Sequence, residues 1–303
     1  MAIILGEHQY GKAENRIVRI VRDSPRHEIR DVNVSTCLRG RFDAAHLTGD
    51  QGAVLPTDTQ KQTSYAFAKT VGLESLERYA LALATHFTAD VDPVDQARVE
   101  LEEYAWERVS VGGEEHDFSW VRTGQEIRTV AVTVDADGST WITGGLKDLV
   151  VLKSSGSEFH GFLTDEYTVL EPTSDRIMAT SLVAGWRFDA DALDAATFDF
   201  DAAYGAIKRA LVETFASFHS LALQQTLYQM GKAAIEAVPA LVEVRLSAPN
   251  KHHFAYDLAR FGIENHNEVF HADDRPYGLI QAAVTVDGAP AAGPAWRQYS
   301  GLA

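Results

Sequence analysis

Cysteine occurs once, at Cys37, so no disulfide can form within the chain and a small disulfide-stapled scaffold is excluded. That usage fits a reducing compartment. Long apolar runs are missing too. No stretch reaches the ~18 apolar residues that a membrane span needs. The opening run, MAIILG, is short and lacks the basic residues of a signal peptide. Positive charge is scarce: 27 Lys and Arg face 43 Asp and Glu, a net charge of −16. Nucleic-acid binding needs clustered bases, so it is not expected. Nucleotide signatures are absent as well, with neither Gly-x-Gly-x-x-Gly nor a P-loop. The Gly-x-Ser-x-Gly elbow of α/β-hydrolases is missing. No metal site is expected from the 11 histidines, because no His-x-His, His-x-x-x-His or Cys-x-x-Cys occurs. His252 and His253 are adjacent, and on extended backbone they point to opposite faces. A soluble, cytoplasmic protein is the expectation.

What is present is ordinary globular material, 46% apolar and 23% charged over 303 residues. At roughly 150 residues per domain, this length suggests about two domains. Charge is uneven along the chain. Residues 1–45 carry eight bases against six acids, while the remainder is strongly acidic. The overall field repels an anionic ligand, so any site for one must supply local positive charge.

Residues 16–22 and 28–38 read as strands joined by a Ser24-Pro25-Arg26-His27 turn. A helix is predicted from Thr59, where Thr59-x-x-Gln62 fits a capping box. A second helix is predicted over 73–88, with Leu73, Leu76, Ala80, Leu83 and Phe87 on one face. Strands follow at 97–106 and 128–134, the latter alternating Val130, Val132 and Val134, and Asp135-Ala136-Asp137-Gly138 reads as a hairpin turn. The order then repeats. Strands at 147–153 and 178–188 precede helices at 201–218 and 223–237, and strands return at 241–247 and 278–286. The predicted helix faces are Tyr204, Ile207, Leu211, Phe215 and Phe218, then Leu223, Leu227, Met230 and Ile235. Two ββααββ units, residues 1–143 and 144–303, imply an α+β fold of antiparallel sheets with helices on one face. Long strands with open edges predict oligomerisation.

Several polar segments are more elaborate than connecting loops require. Each residue in them has an ordinary reading. Thr57 and Asp58 suit a turn and helix start. Lys12 suits a solvated strand end. Arg176 suits a surface ion pair. Gln224 suits a first helical turn, Phe159 a core, and His252 a structural role.

Taken in order, these segments resemble the urate oxidase (uricase) family over nearly the whole chain. The carrying motifs are Gln9-Tyr10-Gly11-Lys12, Thr57-Asp58-Thr59-Gln60-Lys61, Val151-Leu152-Lys153-Ser154 and Ser157-Glu158-Phe159-His160-Gly161-Phe162. They continue with Thr173-Ser174-Asp175-Arg176-Ile177, Gln224-Gln225-Thr226-Leu227-Tyr228, Pro249-Asn250-Lys251-His252 and Arg275-Pro276-Tyr277-Gly278. The resemblance implies the tunnelling (T-fold) architecture, a tandem of ββααββ units, which agrees with the element order. It implies oxidation of urate by O2 without metal or organic cofactor, in a homotetramer whose sites are shared between subunits. Lys12, Thr57 and His252 match the family's proton relay. Arg176 and Gln224 match the pair that grips the pyrimidinedione edge, and Phe159 the ring that stacks on the purine. Asp58 and Leu223 match backbone contacts, with Leu223 larger than the family's usual valine. Asn250 matches the residue that holds O2 or water above the ring. Pro56 stands where a smaller residue is expected. A pterin-directed tunnelling-fold enzyme is disfavoured because the zinc-binding histidine pattern is missing. An inactive purine-binding protein is disfavoured because Lys12, Thr57, His252, Arg176 and Gln224 are all retained.

Overall fold

The alternating Val130, Val132 and Val134 lie in mid-sheet, almost without solvent contact. The computed structural model describes residues 1–300. Its first half runs β1 (Asn15–Val21), β2 (Glu28–Gly40), α1 (Asp43–Leu47), α2 (Thr57–Thr70), α3 (Leu76–Asp90), β3 (Val94–Val111) and β4 (Glu114–Asp135). The second runs β5 (Thr140–Lys153), β6 (Met178–Phe188), α4 (Phe200–Ser217), α5 (Leu223–Ala237) and β7 (Leu241–Pro249). It ends with β8 (His252–Ala255), a 3-10 turn at Ala259–Phe261, β9 (Phe270–Asp273) and β10 (Leu279–Thr285). Strands β1 to β7 and then β10 form one antiparallel eight-stranded sheet in that order. Strands β8 and β9 make a separate two-stranded hairpin. Strands β1 and β10 are the open edges of the large sheet.

The tandem ββααββ order is present, with helices on one face of the sheet. Leu76, Ala80, Leu83 and Phe87 of α3 are wholly buried, and Ile207, Leu211 and Phe215 do the same work on α4. Burying each large apolar side chain contributes roughly 1.5–3 kcal/mol. On α5 the inward residue of the last turn is Ala234, with its neighbour Ile235 only partly buried, because Met230 and Ala234 are one i,i+4 step apart. Tyr204 and Phe218 are likewise only partly buried.

Three expectations are corrected. Helix α2 starts at Thr57, not at Thr59, and no side chain caps it. Pro56 precedes it in extended conformation, and its carbonyl accepts from the Gln60 N–H at 3.1 Å. Helix α3 starts at Leu76 with Ser75 as its cap, so the buried Leu73 lies ahead of it. Strands β3 and β4 run far past their predicted ends, joined through Gly112-Gly113, as an arm that pairs Trp106 with Arg122 and Val111 with Glu114. The turn at 135–138 is present, and Gly138 there has φ 91°, in the region that favours glycine.

The other sheet face is partly covered by the segment that ends the described chain. Arg98 donates to the carbonyl of Ala295 at 3.2 Å, Arg187 to that of Pro290 at 2.9 Å, and Trp296 to Glu243 at 3.2 Å. Gly185 is required beneath Trp296, since a Cβ there would lie 2.9 Å from the indole ring.

A buried guanidinium joins the halves. Arg128 of β4, 7% exposed, donates to Glu77 of α3 at 2.9 and 3.1 Å and to Asp201 of α4 at 2.5 Å. Burial pushes the Glu77 carboxyl up, against the pull of Arg128. Arg128→Met would leave Glu77 buried and uncompensated, which costs about 3–5 kcal/mol. A thermal midpoint well below wild type is expected. The double variant Arg128→Met/Glu77→Leu should regain most of it, because replacing both partners removes the stranded charge. A double variant no more stable than the single would place the loss in packing around Arg128.

Candidate active site

A cavity of about 740 Å³ opens in the second half of the chain, beside the β8–β9 hairpin and the start of α5. Phe159, Arg176, Leu223, Gln224, Asn250 and His252, six residues singled out from the sequence, all border it.

The loop between β5 and β6 carries Phe159 and Arg176, and its backbone is pinned twice. The Phe159 N–H donates to the Thr173 carbonyl at 2.8 Å, the Phe159 carbonyl accepts from the Thr173 N–H at 2.9 Å, and the Arg176 N–H donates to the Ser157 carbonyl at 2.8 Å. The Asp175 carboxylate accepts from the Ser155 hydroxyl and the Gly156 N–H, each at 2.8 Å, closing the loop on itself. The Ser155 hydrogen bond is the main reason that the Asp175 carboxyl lies below the usual range. Phe162 stacks on Phe159 at 5.0 Å and 16°.

Arg176 lines the cavity. Its guanidinium lies 4.9 Å from the Phe159 ring centre. Its Nε is buried without a hydrogen-bond partner, and among the described residues no carboxylate pairs with it. Burial lowers its pKa, the direction expected when a cation loses water without gaining a partner. An unpaired, half-buried Arg fork at a cavity wall is suited to a planar anion.

Helix α5 adds a second source of positive potential. Its N-cap is Ala222, which offers no side-chain bond, so the first N–H groups of Leu223 and Gln224 are left at the cavity edge. The Leu223 side chain turns into the core, 4% exposed, whereas Gln224 is exposed with donor and acceptor both available. Asn250 follows β7, held by its N–H to Gly278 at 2.8 Å. His252 opens β8 and stacks on Phe254 at 5.6 Å and 18°. His253 also borders the cavity, although strict alternation would turn it away. Among the described residues no group of three or more His, Cys, Asp or Glu could hold a metal ion.

Lys12, Thr57 and Asp58 do not border this cavity. They are held together elsewhere, through one hydroxyl. Thr36 of β2 accepts from the Lys12 N–H at 3.2 Å and donates to the fully buried Gln60 at 2.7 Å. That fixes the chain at Lys12 against the first turn of α2, where Thr57 and Asp58 sit. Asp58 lies below the usual carboxyl range, first through its hydrogen bond with Lys61 and, among weaker causes, through the charge of Lys12. Strands β2 and β7 are five strand spacings apart in the sheet, roughly 24 Å along it at ~4.8 Å per strand.

Sequence reasoning missed the apolar wall made by Leu170, Phe254, Phe270 and Ile280. The four-residue strands β8 and β9 are too short to show a period, and Leu170 stands in an irregular loop. No helix is long and apolar enough to cross a membrane among the described residues.

Comparison with known proteins agrees along the whole chain. The family model described as uricase matches residues 8–133 and 142–281. The uricase of Arthrobacter globiformis is 46% identical over 300 residues, covering 99% of this chain and 96% of that protein. The uricase of Danio rerio is 33% identical over 282 residues, covering 91% and 92%. The crystal structure of uricase from Arthrobacter globiformis superposes with a TM-score of 0.92, covering 98% of this chain and all of its own. A uricase from Bacillus fastidious, 22% identical, shares the fold with a TM-score of 0.79 over 93% of this chain and 94% of its own.

Proposed function

The chain belongs to the uricase family and is a urate oxidase, and we propose that it converts urate, O2 and water into 5-hydroxyisourate and hydrogen peroxide without metal or organic cofactor. Two electrons and two protons pass from urate to O2, giving hydrogen peroxide. Water then adds to the oxidised purine, with its oxygen at C5. The observation that carries this reading is the unpaired Arg176 guanidinium beside Phe159 in a chain of net charge −16. Urate at neutral pH is a flat monoanion, and these groups suit it.

In this reading Arg176 and Gln224 grip the pyrimidinedione edge, Phe159 stacks on the ring, and the backbone at Leu223 and Asp58 adds contacts. Asn250 holds O2 or water above the ring. Lys12, Thr57 and His252 move protons, the lysine as base, with hydroxyl and imidazole as the path. The separation of Lys12, Thr57 and Asp58 from the cavity supports a site shared between subunits. The open edges β1 and β10 support a homotetramer in which sheets join into a tunnel. The nearest connection to the proposed junction of two units at residues 143 and 144 is the β4–β5 turn at 136–139, the two residues themselves lying in β5. A single buried thiol, Cys37, fits residence in the cytoplasm. Nucleic acid and membrane have no role in it.

Purified protein mixed with urate should deplete its near-ultraviolet absorbance and release peroxide, and exhaustive chelation should leave the rate intact. No loss of urate would make the protein an inactive purine binder. Activity abolished by chelation and restored by one metal would end the cofactor-free mechanism.

Arg176→Ala should lower kcat/KM for urate at least tenfold with the fold retained, since charge-assisted hydrogen bonds contribute roughly 1.5–3 kcal/mol each. Near wild-type kinetics would return Arg176 to the role of a surface residue.

Subunit sharing can be counted. When Lys12→Ala and Arg176→Ala chains are co-expressed, a mixed two-fold pair holds one doubly damaged site and one intact site. With random pairing about a quarter of all sites recover. Activity no greater than the parents' average, in confirmed mixed oligomers, would show that each site lies within one chain.

A further inference from the structure

Ser157-Glu158-Phe159-His160 is nearly extended, so Glu158 and His160 fall on the side opposite to Phe159. On that side they meet His219, which comes from the connection between α4 and α5. One oxygen of the Glu158 carboxylate accepts from His160 Nε2 at 2.6 Å, and the other accepts from His219 Nε2. A carboxylate only accepts, so both imidazoles donate from Nε2–H. Glu158 is 19% exposed, while both histidine rings are more than half exposed. The carboxylate is thus the less exposed centre of the cluster and the rings are its outer arms. His219 stands four residues before Leu223 and five before Gln224, so the carboxylate bridges the segment that carries the stacking ring and the segment that opens α5. Backbone bonds run alongside: the Glu158 N–H donates to Ser220 at 2.7 Å, and the Ser220 N–H to Gly156 at 3.0 Å. Those set the pairing of the two segments. The hydrogen bond from His219 to the carboxylate adds a side-chain restraint between them.

We propose that Glu158 is a positioning residue for the bound purine, which through His160 and His219 sets the spacing between the Phe159 ring and the Gln224 end of α5. Glu158 touches neither the cavity nor the reacting atoms, and it acts on ring and helix from behind. Its carboxyl lies below the usual range, first through the His219 hydrogen bond, so the acceptor persists in charged form at neutral pH. The inference rests on the urate reading of the cavity.

The test separates position from folding. Glu158→Ala should raise KM for urate about fivefold to tenfold, the size of a placement effect, with kcat within about twofold and the thermal midpoint nearly unchanged. Binding of xanthine, followed by tryptophan fluorescence without turnover, should weaken by the same factor. Glu158→Gln keeps one acceptor oxygen and should recover part of the affinity. The double variant His160→Ala/His219→Ala should match Glu158→Ala, and combining all three changes should add nothing further. Wild-type urate kinetics in Glu158→Ala would overturn the proposal alone. So would a joint fall in kcat and thermal midpoint, which marks a merely structural residue. Wild-type protein that neither consumes urate nor binds xanthine would overturn the urate reading, and the proposal with it.

Discussion

The buried Arg128 guanidinium is the constraint on which the relation of the two halves depends. An arginine on a central strand must be neutralised where it lies, and its partners come from both halves: Glu77 on α3 and Asp201 on α4. Arg30 of β2 repeats the link at the rim, with Glu103 at 2.5 Å and Asp201 at 2.7 Å. Arg78 closes it by donating to the carbonyls of Ala195 and Phe198, both at 2.9 Å. A hydrophobic seam would tolerate sliding of the helix pairs over the sheet. A buried charge with defined hydrogen-bond partners does not, because each displaced bond strands a desolvated group. The start of α4 is fixed by Asp201, and with it the connection through His219 to α5, whose first turn borders the cavity.

A single eight-stranded sheet with helices on one face leaves two things unsatisfied: the unpaired edges β1 and β10, and much of the opposite face. The residues proposed for one reaction are distributed accordingly. Lys12 and Thr57 belong with β2 and α2, near one edge; Asn250 and His252 follow β7, near the other. In the proposed shared site, pairing copies edge to edge is what brings these residues together. Closure of the sheet and completion of the site would then be the same event, and an isolated chain would lack both.

How much was legible depended on whether burial and periodicity coincided. They coincide in α3, where Leu76, Ala80, Leu83 and Phe87 are all wholly buried, and in β6, whose predicted ends 178 and 188 match the strand. They part in α2, whose buried face is Gln60, Ser64 and Ala68. That helix is held by hydrogen bonds such as Thr36 to Gln60 and Tyr79 to Ser64, which no apolar stripe reports. The β3–β4 arm escaped notice because its outer half is solvated on both sides and alternates in no consistent way. Among the site residues, Phe159, Arg176, Gln224 and His252 each had an ordinary reading by itself, and only the ordered set of motifs singled them out. His219 had no motif at all. Its meeting with Glu158, 61 positions earlier, is made by the fold.

Charge explains why Arg176 is conspicuous. Acids exceed bases by 16, and Arg16, Arg98, Arg128 and Arg187 each lie against a carboxylate within 3.0 Å. Folding selects such pairings, since a half-buried cation without one loses hydration and gains nothing. Arg176 has no such pairing, and its loop is closed instead by Asp175, which turns to Ser155 and Gly156 and away from the neighbouring guanidinium. Had Asp175 faced Arg176, the cavity would carry a neutral pair and an anion would compete with an internal carboxylate. Directing that carboxylate into the loop keeps one positive charge in reserve inside a negative molecule. In the proposed reading, a flat anion beside Arg176 supplies the partner that this cation lacks, which favours binding against the field of the whole chain.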